Sequence, residues 1–255
     1  MFIRIIILII ILKTIILTSV FSQNKLPFKI GEHTEYKVSF GLLEVGSADL
    51  KVLDYVFIDG KNTYHIIGKG RTAYFFDWFF KVRDVYETFI DTSLLLPVRF
   101  NRDVYEGGHI IKQSYKFSHK KEKVYTDNNV FDIKNKNHDM LSAFFYARTF
   151  KKDLLKNNHT LIIPIFMDEK EYMLEIKYLG NEILQTKFGK IECMVFMPKM
   201  QKGRVFADEE EMKIWISDDL NRFLIKVETK IWAGTIKAVL TKYEGNKFPL
   251  TIITE

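Results

Sequence analysis

Apolar and polar residues alternate with a period of two along most of this chain, and that rhythm leaves few folds open. Tyr36, Val38 and Phe40 alternate with Glu35, Lys37 and Ser39; Ala48, Leu50 and Val52 alternate with Asp49 and Lys51. Successive side chains on a strand point to opposite faces, so this pattern builds sheet with one face buried and one face wet. Further strands read at 64–67, 82–90, 98–106, 110–117, 160–167, 172–179, 193–197, 212–216, 223–231 and 235–243. Asp59-Gly60, Gly107-Gly108, Asp127-Asn128-Asn129, Gly180-Asn181 and Gly189 separate them as turn signals. Short strands joined by close turns predict a mainly β fold: a single antiparallel, strongly curved sheet, barrel-like or sandwich-like, in one domain over 23–255.

One segment departs from the alternation. Over 138–149, Met140 or Leu141, Phe144, Phe145 and Arg148 fall at helical spacing, with Asn137 or Asp139 placed to cap. This predicts one short helix. It either plugs a mouth of the sheet with its apolar face inward or forms an aromatic lid over a ligand cavity.

The first 22 residues bear on compartment. Arg4 precedes the apolar runs Ile5–Leu12 and Ile15–Leu17, and Val20-Phe21-Ser22 fits a signal peptidase site. An uncleaved anchor competes with this reading, but Lys13 interrupts the apolar stretch short of the roughly 20 residues a spanning helix needs. No later stretch is long and apolar enough to cross a bilayer as a helix. The expectation is a signal peptide over 1–22 and an exported protein, periplasmic or otherwise associated with the envelope. The oligomeric state is left open.

Removing 1–22 takes away two basic residues and no acid, so the net charge falls from +6 to +4. So small and interspersed an excess is a solvated surface and argues against a nucleic-acid partner. The single Cys193 lies in an apolar run and reads as a small buried hydrophobe. The six histidines are scattered without metal-ligand spacing, so no metal and no cofactor is expected. Gly68-Lys69-Gly70-Arg71-Thr72 lacks the spacing of a phosphate loop, and no Gly-x-Ser-x-Gly elbow presents a nucleophile. Catalytic residues are therefore not assigned.

Two features invite a functional reading. The run Tyr74-Phe75-Phe76-Asp77-Trp78-Phe79-Phe80 is too apolar to stand fully exposed on a soluble monomer. It belongs either to the core or to a site that grips an acyl chain, a sugar face or a membrane, together with Phe144 and Phe145. The pentapeptide Arg-Asp-Val-Tyr-Glu occurs twice, at 83–87 and 102–106. Paired antiparallel with opposed numbers summing to 189, the copies place Arg83 against Glu106, Glu87 against Arg102, and Val85 against Val104, a self-complementary hairpin. Three functions remain in view: a non-enzymatic envelope domain binding a lipid, glycan or other apolar ligand; a hydrolase using Glu87, Glu106, Asp218 or Asp219; and an assembly partner of other envelope proteins. Asp218-Asp219 reads more simply as a turn, because neighbouring strand residues point apart and Asp bonds its own backbone in turns.

Several stretches together resemble the bacterial family called domain of unknown function 3108. They are Phe28-Lys29-Ile30-Gly31-Glu32 with Tyr36-Lys37-Val38 and Val45-Gly46-Ser47-Ala48; Phe79-Phe80-Lys81-Val82-Arg83-Asp84; and Leu96-Pro97-Val98-Arg99-Phe100 through Glu106-Gly107-Gly108. Asp139-Met140-Leu141-Ser142-Ala143-Phe144 and Ile214-Trp215-Ile216-Ser217-Asp218-Asp219 also fit. Where the family often carries Arg-x-Pro-Val after the acidic turn, this chain has Arg222-Phe223-Leu224-Ile225. The resemblance implies an exported, mainly antiparallel β protein of the envelope, and it carries no activity or catalytic residues with it.

Overall fold

Fourteen antiparallel strands make one continuous curved sheet in a computed structural model that describes residues 26–155, 159–199, 212–231 and 234–254. The predicted signal segment lies outside the described residues. In chain order the strands are β1 (His33–Phe40), β2 (Leu43–Ile58), β3 (Lys61–Thr72), β4 (Val82–Asp91), β5 (Pro97–Glu106), β6 (His109–Ser118) and β7 (Lys123–Tyr125). There follow β8 (Val130–Asp132), β9 (Thr160–Met167), β10 (Lys170–Thr186), β11 (Gly189–Pro198), β12 (Met212–Ser217), β13 (Leu224–Ile231) and β14 (Gly234–Glu244). The spatial order runs from β8 back to β1, then from β14 back to β9. The chain thus lays down two meanders joined where β1 pairs with β14. Among the described residues no helix is long and apolar enough to cross a membrane.

The sheet is not closed by strand pairing. β8 and β9 are its two edges, and the chain after β8 covers the β9 edge. His138 N–H donates to the Pro164 carbonyl, Phe166 N–H donates to the His138 carbonyl, and Lys134 and Asn135 N–H donate to the Glu171 carboxylate. An edge left bare would present free backbone groups to another chain, and this segment uses them.

The segment that broke the alternation forms α1 (Met140–Ala147), and it sits as a plug against the sheet. Leu141 and Phe145 pack on Phe28, Val52, Tyr64, Ile66 and Ile90, while Ala143 packs on Ile163 and Ile165. Burying each large side chain of this set is worth about 1.5–3 kcal/mol. β11 is buried on both faces: Cys193 and Val195 join a cluster with Trp215, Ile225 and Leu240, and Met194 and Phe196 join another with Tyr178 and Ile216. Burial pushes the Cys193 thiol up to about 12, so it stays protonated and inert at neutral pH.

Two sequence expectations need correcting. Gly180-Asn181 is not a turn; β10 runs through it with a bulge, where its register with β11 shifts between Tyr178 and Gly180. Gly180 has φ +112°, which a glycine adopts without strain. The second concerns the paired pentapeptides. β4 and β5 are indeed neighbours, but opposed numbers sum to 188, so Arg83 faces Tyr105, Val85 faces Asp103 and Glu87 faces Asn101.

Burial explains the slip. Asp84 faces Val104, Tyr86 faces Arg102 and Thr88 faces Phe100, and Asp84, Thr88, Phe100, Arg102 and Val104 are all buried. The predicted odd sum would have set buried Val104 against the exposed Val85. Exposed ion pairs worth about 0–1 kcal/mol cannot outweigh that. The predicted pairs dissolve accordingly: Arg83 bonds Asp77, Glu87 bonds His65 and Asn101, Arg102 bonds Asp168, and Glu106 bonds Asp84. Because the copies are 19 residues apart, an odd offset, while the opposed numbers sum to an even 188, each shared residue type faces opposite sides of the sheet in the two copies.

Candidate ligand site

The site begins with how α1 is fixed. Asp139 caps it: one carboxylate oxygen accepts from the N–H groups of Leu141 and Ser142, and Ser142 Oγ accepts from the Asp139 N–H. This reciprocal pair satisfies helix donors that would otherwise be buried without partners. The other Asp139 oxygen accepts from the Thr88 hydroxyl at 2.7 Å, tying the helix start to β4. At the far end Arg148 bonds the Glu32 carboxylate at 2.6 and 3.0 Å and the carbonyls of Asn221 and Pro27. Its guanidinium also lies 5.1–5.9 Å from the ring centres of Phe28, Phe144, Phe145 and Phe223. Both ends of α1 are therefore clamped to β strands and loops distant in sequence.

Between this clamped helix and β9–β12 lies a cavity of about 210 Å³. Met140, Ala143, Phe144 and Ala147 form its helical wall. Leu161 of β9, Leu174 and Ile176 of β10, Met194, Phe196 and Pro198 of β11, and Ile214 and Ile216 of β12 form the sheet wall, with Phe150 and Leu155 completing it. Among the described residues, Arg148 and Arg222 are the two charged ones in the lining. Arg148 is committed to Glu32. Arg222 Nη1 bonds Asp218 at 2.9 Å, and Asp218 also bonds Lys152 and Asn181. These partners hold the Asp218 carboxyl below its ordinary range against the opposing effect of burial. One carboxylate thus serves two cations beside the cavity.

Of the residues singled out in the sequence, Phe144 lines this cavity and Phe145 does not; Phe145 is buried on the opposite side of α1 among Phe28 and Ile66. Tyr74, Phe75, Phe76, Trp78, Phe79 and Phe80 lie elsewhere, in a 3-10 turn (Tyr74–Phe76) and a helical turn (Asp77–Phe80) between β3 and β4. None of them is buried, and Tyr74 and Trp78 are 89 % and 80 % exposed. The core alternative for that run is therefore wrong. Asp219 accepts from the Asn221 and Arg222 N–H groups and from the Ser217 hydroxyl, so it holds the β12–β13 turn together.

Sequence reasoning missed most of the cavity wall. One signal was present: the unbroken apolar run of β11, Cys193-Met194-Val195-Phe196, departs from period-two alternation because that strand is covered on both sides.

One solved structure bears on this architecture. A crystal structure described as a beta-barrel-like protein of domain of unknown function DUF1849 from Brucella abortus superposes with a TM-score of 0.56 at 10 % identity, covering 85 % of this chain and 98 % of that one. A "putative lipoprotein" from Parabacteroides distasonis matches over 86 % of this chain and 99 % of that one at 11 % identity, with a TM-score of 0.38. A "putative exported protein with YmcC-like fold" from Bacteroides fragilis, 7 % identical, covers 86 % of this chain and 97 % of its own, with a TM-score of 0.35. Only the first of these is similar enough to bear on the fold, and it shows the fold alone. No curated protein matches. The family profile described as "Protein of unknown function (DUF3108)" matches residues 35–241, most of the described sheet, and the chain belongs to that family.

Proposed function

We propose that this protein is an exported, non-enzymatic β domain of the cell envelope that holds the apolar chain of a single amphiphile between α1 and β9–β12. The observation that carries the reading is the cavity: about 210 Å³, walled by aliphatic and aromatic side chains on both sides. An engineered apolar cavity of about 150 Å³ stays dry and takes up benzene, so this volume suits a ring or an acyl segment. Arg222 and Lys152, both bonded to Asp218, place two cations beside it where an anionic head group would lie. A glycan fits poorly, because a sugar needs polar partners along its length and the wall offers few. The acids of the hydrolase alternative are engaged separately: Glu87 is bonded to His65 and Asn101, Glu106 to Asp84, Asp218 to two cations, and Asp219 to backbone N–H groups. Export rests on the sequence of residues 1–22.

Native mass spectrometry and lipid extraction of the full chain purified from envelopes test the reading. An amphiphile at one per chain is expected, and Ala147→Phe, at a half-buried position of the cavity wall one turn from Phe144, should remove it while circular dichroism and the thermal melt show the protein still folded. Protein that carries no such molecule, and takes up none when offered fatty acids, contradicts the proposal.

A further inference from the structure

A second surface lies apart from the cavity, and its argument does not depend on the cavity's occupant. Three connections meet at one end of the sheet: the β1–β2 turn, the 73–81 segment and the β5–β6 hairpin. Ala73 N–H donates to the Val45 carbonyl and Gly107 N–H to the Lys81 carbonyl. A Cβ on Gly107 would overlap the Phe80 ring, so that ring lies directly over the hairpin. From this end Leu42, Leu43, Tyr74, Phe75, Trp78 and Phe79 project into solvent.

The aromatic residues face outward because the polar residues beneath them are tied inward. Asp77 accepts from the Thr72 hydroxyl at 2.7 Å and from Arg83 at 2.6 and 3.0 Å; Val82 N–H donates to the same hydroxyl at 3.0 Å. These bonds from Arg83 and Thr72 hold the Asp77 carboxyl below its ordinary range. The segment is thus braced in a conformation that exposes its rings, the reverse of what hydrophobic burial alone would select.

From this geometry we infer that the end of the sheet docks onto an anionic lipid bilayer, with Trp78, Phe79, Phe75 and Leu42 entering the interface. The surface is a protrusion. A protein partner would need a matching cleft, whereas a bilayer interface accepts Trp, Tyr and Phe without a shaped receptor. The charges at this end are mostly paired, Arg83 with Asp77, Lys37 with Glu44, and Asp84 with Glu106, which leaves Arg71 and Lys81 as the cations facing outward beside the rings. Arg71 bonds the Ser47 hydroxyl and Lys81 lies over the Tyr105 ring, contacts that leave both positive charges for lipid phosphates.

The test is Trp78 fluorescence of the full chain with vesicles of phosphatidylglycerol or phosphatidylcholine carrying brominated acyl chains. Trp78→Phe identifies its signal above the other two tryptophans. The N-terminal segment could tether the chain without bringing Trp78 to the acyl region, so bromine quenching decides and flotation does not. On phosphatidylglycerol, blue-shifted and quenched Trp78 emission is expected. Phe79→Ser should weaken binding at least about tenfold. Arg71→Gln and Lys81→Gln should each weaken it about fivefold on the anionic vesicles only. Unquenched Trp78 on phosphatidylglycerol overturns the inference. So does a chain that self-associates through this surface, with assembly in sedimentation that Phe79→Ser abolishes and no quenching by lipid.

Discussion

Arg148 and Glu32 are both nearly absent from the surface, with side chains 3 % and 4 % exposed. A bidentate ion pair in such a place is held together by its hydrogen bonds, and removing one partner strands the other charge. Glu32→Ala should therefore lower the unfolding free energy by about 3–5 kcal/mol in urea titration. Asp84 behaves in the opposite sense. Burial and the neighbouring Glu106 push its carboxyl up to about 7, although the Tyr105 N–H bond works against this. Between about pH 4 and 7 the folded chain holds a proton that the unfolded chain has released, so stability falls as pH rises through that window. Asp84→Asn mimics the protonated acid. It should flatten this part of the stability profile and add, after screening is allowed for, about 1 kcal/mol at pH 8. Nothing in the pentapeptide foretold this pair. Its two copies looked complementary, yet which copy's acid turns inward depends on which residues of β4 and β5 are buried, and that parity had to come from the rest of the sheet.

α1 shows what a sequence can specify locally. Helical spacing from Met140 to Arg148 and a cap at Asn137 or Asp139 placed it within two residues of its observed ends, because both signals act within one or two turns. Asp139→Ala should cost about 1–2 kcal/mol by loss of the cap, and thermal melts should show it. Its carboxyl is pushed up to about 6 by burial, opposed by the hydrogen bonds from Ser142, Thr88 and Leu141, so the capping ion is held where it is costly to hold. The cavity beside α1 was not legible in the same way. Its sheet wall is assembled from Leu161, Ile176, Phe196 and Ile216, on four strands whose side-by-side placement depends on registers and bulges set far away in the chain. The Tyr74–Phe80 run was legible as unusual, but composition alone left core and surface both open. The Asp77–Arg83–Thr72 brace decides between them, and it joins residues across the β3–β4 connection.

At the scale of the whole molecule, period-two alternation was sufficient for a mainly β, antiparallel, curved sheet, since that pattern pays no attention to topology and needs none to be read. The strand order, the open seam between β8 and β9, and the segment that covers it are properties of the assembled sheet. Two apolar features then sit on one scaffold with different characters: an apolar cleft between α1 and β9–β12 and a braced aromatic surface at the end of the sheet. A photoactivatable diazirine fatty acid, crosslinked to the folded chain and mapped by peptide mass spectrometry, separates them and tests the central claim most directly. Labels concentrated on α1 and on the facing residues of β10, β11 and β12, such as Phe144, Ile176, Met194 and Ile214, are the predicted result. Labels confined to residues 74–80, with none on α1 or these strands, would contradict it.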